Sequence, residues 1–378
     1  MFRPSFLFLI SLGSAILLSL YGAQSRAFWS ATEIYSYSMN KDFYSFYLLF
    51  VGFICFSSLV GEGLGKSKQF KVQNYSLDFK VVKKISVISF FLFVFIFLLR
   101  TYFTREVNFF AIIQGQATSE DIEKALENSP FGINGLALLF SYFFLILWQH
   151  SALFNYQNKY LKYGLFLAFF VFISQGKVQG LLYFFACYIS QKRFTTGYIK
   201  RLLLGLVVVL VIFFVSRILR NQDQNLAFES QLFFIFVLGS YLGAPIINSD
   251  YIFSNSEFNF NGLFFSHLLP KKFDFFDLSS SAYLPDPTSP FGVCGSSLAF
   301  GSITFSLFYA VIVGFFSGYC YRASKINPVA NIFLPFLFVA CFFSMMYNHF
   351  ANLTFFWIPL LLCWFLVRLT TIKIRRCF

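Results

Sequence analysis

Runs of mainly apolar residues, each close to the length of a bilayer-spanning helix, recur along the whole chain. They lie near 4–22, 44–60, 85–100, 132–150, 202–216, 296–321, 329–347 and 351–367. A spanning helix needs about 20 such residues. Composition points the same way: of 378 residues 58% are hydrophobic, 23% aromatic and only 12% charged, where a soluble domain carries about 25% charged residues. So little polar surface does not cover a globule in water. The sequence therefore predicts an all-α polytopic integral membrane protein.

Two further regions are ambiguous by hydropathy. Residues 163–190 hold two apolar runs parted by Gln175 to Gly180, and 230–247 is apolar but interrupted by Gly239, Gly243 and Pro245. Charge arbitrates. Lys66, Lys68, Lys71, Lys80, Lys83 and Lys84 stand against Asp78 alone, and the positive-inside rule puts that segment in the cytoplasm. The amino terminus is then inside and 23–43 outside. Keeping Lys192, Arg193, Lys200 and Arg201 inside requires 163–190 to be a hairpin of two short helices turning at Lys177. Arg322, Lys325, Lys373, Arg375 and Arg376 fall inside only if 230–247 does not cross, so it reads as a re-entrant or broken segment. The rival topology, with 163–190 and 230–247 each crossing once, moves four basic residues outside.

The expected architecture is about ten transmembrane helices plus one re-entrant segment, both termini cytoplasmic, in a single membrane domain over 1–378. An external loop at 101–131 contains a short polar helix near Ser119 to Asn128, and 230–295 combines the re-entrant segment with the largest external loop. In this arrangement 19 of the 29 basic residues and two of the 16 acids are internal, giving +17, and the external face carries −4, together the +13 of the whole chain. A net charge of that size in a soluble protein would suggest nucleic acid. Here it is directed at anionic membrane lipids, and no nucleic-acid partner is expected.

Several apparent motifs carry no chemistry. The first 22 residues resemble a signal peptide, but an uncleaved first helix is expected in a multispanning chain. Gly61 to Ser67 resembles a phosphate loop with its first glycine misplaced, following a membrane helix instead of a strand. Asp274, Asp277 and Asp286 have no histidine placed with them, and neither His150 nor His267 has a ligand-spaced partner, so no metal and no cofactor are expected. With only Cys294 near the external face, no external disulfide is expected.

What remains is a set of cations where the orienting rule disfavours them. Arg100, Arg105, Lys177, Arg217 and Arg220 all sit at external ends of predicted spans. Ionisable groups at membrane depth are functional candidates, and the arginine fork suits phosphate oxygens. The competing explanation for each is that it snorkels to the headgroups.

At these positions the sequence resembles a family. Ser174-Gln175-Gly176-Lys177-Val178-Gln179-Gly180 is similar to the small-Gly-basic-x-x-Gly turn of oligosaccharide repeat-unit polymerases, the Wzy-type O-antigen and capsule polymerases, with Lys177 where those proteins often carry arginine. Tyr241-Leu242-Gly243-Ala244-Pro245 resembles their Tyr-x-Gly-x-Pro segment. Ser289-Pro290-Phe291-Gly292 through Gly301, then Gly314 to Arg322, is similar to their loop-to-helix passage ending in Gly-x-x-x-Gly-x-x-Tyr-Arg. The resemblance covers about 160–325.

The resemblance implies a glycosyltransferase of the bacterial inner membrane that moves a growing glycan from its polyprenyl diphosphate to a hydroxyl of a new lipid-linked unit on the periplasmic side. Its implied partners are the polyprenyl-diphosphate-linked oligosaccharide, membrane lipids and a chain-length regulator protein. The five cations would stabilise charge building on the diphosphate. Candidates for the base are His349, Asp250 and Glu257, and Tyr241 and Tyr251 are candidates for stacking on sugar faces. Two other functions stay open: a lipid-linked oligosaccharide flippase or transporter, whose charges would line a path through the membrane, and an O-antigen ligase-like glycosyltransferase.

Overall fold

The computed structural model describes residues 3–24, 40–64, 75–104, 125, 132–174, 178–190, 244–255, 292–325 and 327–373. Helix dominates: α1 (Pro4–Gln24), α2 (Lys41–Leu64), α3 (Phe79–Phe103), α4 (Ile133–Leu153), α5 (Lys159–Ser174), α6 (Val178–Ser190), α7 (Ala244–Ser254), α8 (Val293–Ala299), α9 (Ile303–Ala323), α10 (Pro328–Phe342) and α11 (Ile358–Thr370). A 3-10 turn at His349–Ala351 and a π turn at Leu353–Trp357 lie between α10 and α11, and strands β1 (Tyr75–Leu77) and β2 (Thr371–Lys373) form an antiparallel pair. Among the described residues, five helical segments are long and apolar enough to cross a membrane: Lys41–Leu64, Phe79–Phe103, Ile133–Leu153, Ile303–Ala323 and Leu353–Thr370. The outer face of α3 leaves Phe91, Phe95 and Leu98 at least 60% exposed, which suits lipid and not water. The described residues are mostly helical, and the protein is a membrane-embedded one.

The chain divides into two compact units, Met1–Phe70 with Phe228–Ile358, and Lys71–Ala227 with Pro359–Phe378. The first is built on α2 and α9, which run parallel. A Cβ on Gly314 would strike Ser57 and the Ile54 carbonyl, one on Gly318 the Ser58 carbonyl, and one on Gly61 the Phe315 carbonyl. Small residues four apart let helix backbones approach in this way. Helix α1 runs antiparallel to α2: Arg3 pairs with Glu62 at 3.6 Å, and Tyr47 donates to the Leu12 carbonyl. Helix α7 packs Phe253 on Phe43 and Phe46, with centroids 5.7 and 5.3 Å away.

The predicted span at 329–347 stops early. α10 ends at Phe342 and the chain continues as turns. Just past its end the Ser344 carbonyl accepts from the Val293 amide and the Met345 amide donates to Ser11 Oγ, so these backbone groups pair with other segments and not with the helical ladder; further on, Asn348 and Asn352 cap the turns that follow through their side-chain oxygens. Hydropathy does not register this, since Phe343, Met345, Met346 and Tyr347 extend the apolar run.

In the second unit α3, α4, α5 and α6 run up and down. Arg100 of α3 meets Asn134 of α4, while Phe93 stacks on Phe140 and Phe144. Residues 163–190 are two helices packed antiparallel: Gly180 lies against Phe172 and Phe184 meets Phe169 at 5.8 Å. Asn155, in the left-handed region at φ 56°, ends α4, and the amide of Tyr156 returns to the Ser151 carbonyl. Asparagine tolerates that conformation.

Five chain segments gather at one end of this unit. Asp78 caps α3 through the amides of Lys80 and Val81, and its own amide donates to the Thr370 carbonyl. Tyr75 pairs with Lys373 across the strands. Phe79 lies 4.9 Å from the Tyr156 ring, and Gln149 donates to Ser190 at 2.7 Å. His150 sits between Thr370 and Thr371, its ring nitrogens 3.1 and 3.2 Å from their hydroxyls. Within this unit the lysine-bearing starts of α3 and α5 thus lie at one end, and Arg100 lies at the other.

Candidate functional site

Of the residues the sequence singles out, Arg105, Lys177, Arg217, Arg220, Tyr241 and Glu257 lie outside the described residues. Arg100 belongs to the second unit, and Asp250, Tyr251 and His349 to the first.

Arg100 is in the last turn of α3, 4% exposed, with Nε donating to Asn134 Oδ1 at 3.3 Å. A cation there complements the negative end of the helix dipole. Its burial also makes the guanidinium worth more to an anion than an exposed one would be.

Asp250 occupies the middle of α7, where 245–250 are all buried. Its oxygens accept from the Asn40 amide at 3.3 and 3.1 Å. Asn40 in turn accepts from the Asp42 amide through Oδ1 and donates to Ser254 through Nδ2. Asn40 is the N-cap of α2, and Asp250 supplies from another helix the acceptor that a capping-box glutamate supplies locally. Tyr251, on the same helix, is half-buried.

His349 is fully buried in the 3-10 turn. Its ring centroid is 5.1 Å from that of Tyr347 and 6.1 Å from that of Phe355. On one side of it, Asn348 accepts through Oδ1 from Tyr309 at 3.1 Å and from the Ala351 amide at 3.2 Å, and donates through Nδ2 to Ser296 at 2.6 Å. On the other, Asn352 accepts from the Phe355 amide at 2.8 Å and donates to Tyr347 at 3.0 Å. Burial pushes the Tyr347 hydroxyl up to about 12, opposed by the Asn352 amide, so this phenol stays protonated at neutral pH. Ser297 and Ser306 meet at 2.6 Å in the same region, and Ser344 donates to Ser11. The arrangement is a hydrogen-bonded polar centre inside an apolar unit, with an imidazole in its midst.

Sequence reading finds His349 and Asp250 but misses Asn348, Asn352, Ser296 and Tyr309. The available signal is the pair of asparagines four apart that brackets the histidine. Among the described residues no three His, Cys, Asp or Glu side chains gather as metal ligands. No protein-family model, curated protein or solved structure matches this chain.

Proposed function

We propose that this chain is a membrane glycosyltransferase that polymerises polyprenyl-diphosphate-linked oligosaccharide units into O-antigen or capsular polysaccharide at the periplasmic face of a bacterial inner membrane. In this reading about ten helices cross, one segment is re-entrant, and both termini are cytoplasmic. The observation that carries it is Arg100: a guanidinium buried at the end of its unit opposite the lysine-bearing ends of α3 and α5. Positive-inside orientation does not account for a buried cation there, and a lipid diphosphate does.

The chemistry needs an anion site and a base. An acceptor hydroxyl oxygen attacks the anomeric carbon of the donor while that carbon's bond to the diphosphate breaks. The electron pair leaves on the diphosphate, and the hydroxyl proton passes to the base. Arg217, Arg220, Lys177, Arg105 and Arg100 would hold the leaving diphosphate. Among the candidate bases the described contacts favour His349, because Asp250 is engaged at the head of α2. Tyr241 and Tyr251 would face sugar rings.

Deleting the chain in its host tests the reading. The expected result is surface glycan reduced to single repeat units with export intact; loss of export instead identifies a flippase. Arg217→Ala or Arg220→Ala, with membrane insertion confirmed, should likewise give single units in place of a ladder, and a normal ladder removes those residues from the mechanism.

A further inference from the structure

We infer that Asn348 is the positioning residue for His349, holding the imidazole by tying its turn to two separate helices; the role in catalysis rests on the polymerase reading above, and the cradle itself does not. The side chain of Asn348 is fully buried. Its orientation is fixed by its neighbours. The Ala351 amide only donates, so the atom facing it at 3.2 Å is the oxygen, and the nitrogen therefore faces Ser296. Ser296 directs its own proton to the Val293 carbonyl and is left to accept. Tyr309 then donates to the same Asn348 oxygen. Every direction in this chain is determined, so the amide holds one rotamer and joins α8, α9 and the 3-10 turn.

Asn352 repeats the arrangement four residues on. Its oxygen caps Phe355 and its nitrogen reaches Tyr347. The Trp357 indole donates to the Phe350 carbonyl at 3.0 Å, closing the turn from the far side. His349 is thus carried on a backbone whose preceding and following residues are both anchored, in a 3-10 turn that leads into a π turn. Such departures from α-helix recur at functional sites. Catalytic groups need placement of this kind, since a displacement of about 1 Å can lower a rate about 100-fold.

Two readouts test the inference on the full chain in native membranes. The first is modification by diethyl pyrocarbonate mapped by mass spectrometry, with buried His150 of the other unit as internal control. Asn348→Ala should make His349 reactive while His150 stays protected. Asn348→Asp, which keeps the acceptor for Tyr309 and Ala351 and gives the Ser296 hydroxyl an acceptor, should restore protection. The inference is overturned if His349 remains protected in Asn348→Ala, or if both histidines become reactive together, which would mark general unfolding. The second readout is polymer formation from lipid-linked repeat units extracted from a deletion strain. Asn348→Ala should lower kcat about 100-fold with KM nearly unchanged, and an unchanged kcat overturns the catalytic part. If native membranes form no polymer while the modification pattern is as expected, the polymerase reading falls and the cradle stands.

Discussion

Asp250 carries its carboxylate with no exposure to solvent, facing the amide of the residue that caps α2. Removing it leaves a helix head without its acceptor, and hydrogen bonds to charged groups contribute about 1.5–3 kcal/mol. Asp250→Ala should therefore lower the thermal unfolding midpoint in detergent, with Asp250→Asn, which keeps one acceptor oxygen, falling in between. An unchanged midpoint in Asp250→Ala would return this residue to the candidates for the base. The sequence marks Asp250 as an acid beside an interrupted apolar segment, but its partner lies 210 positions away, and no local pattern records such a pairing. His349 stands out for a related reason, as a rare histidine in apolar surroundings. What holds its turn is invisible beforehand, because Ser296 and Tyr309 become its neighbours only through folding.

At the scale of elements, length and hydropathy predict most of what is seen. α2, α3, α4 and α9 lie where unbroken apolar runs require them, and α5 ends at Ser174 and α6 begins at Val178, where Gly176 and Gly180 interrupt the apolar sequence. Helix ends made by tertiary contacts are not legible in that way: α10 stops inside an apolar run where the Ser344 carbonyl accepts from the Val293 amide and the Met345 amide donates to Ser11. The close pairing of α2 with α9 depends on glycine at particular depths. Gly318→Ala places a methyl group against the Ser58 carbonyl, and overpacking of this kind costs about 1–3 kcal/mol. Gly52, on the same α2, has nothing within 4 Å of its missing Cβ. Gly52→Ala should leave stability unchanged or raise it by up to about 1 kcal/mol through helix propensity. Thermal unfolding of the two variants side by side checks the pairing; equal midpoints would contradict it.

At the largest scale, the described helices within each compact unit run in the relative directions that the sign of charge calls for. Charge alone requires α2 and α9 to run from outside to inside, and they pack parallel; it requires 66–84, 151–162, 191–201 and the tail to share a side, and the adjoining ends of α3, α4, α5, α6 and α11 gather together. Single cysteines in a cysteine-free background check the side itself. An impermeant maleimide should label Thr101→Cys in intact cells, and Lys159→Cys and Thr196→Cys only after permeabilisation. Labelling of Thr196→Cys from outside would reverse the hairpin. The strand pair at this shared end sets an order of events in synthesis. Tyr75–Leu77 meets Thr371–Lys373, a partner that a ribosome adding about 5–20 residues per second delivers on the order of 15–60 s later. Until then the head of α3 and the ring of His150 wait for the Thr370 and Thr371 groups that complete them, so closure of this unit comes late in its own translation.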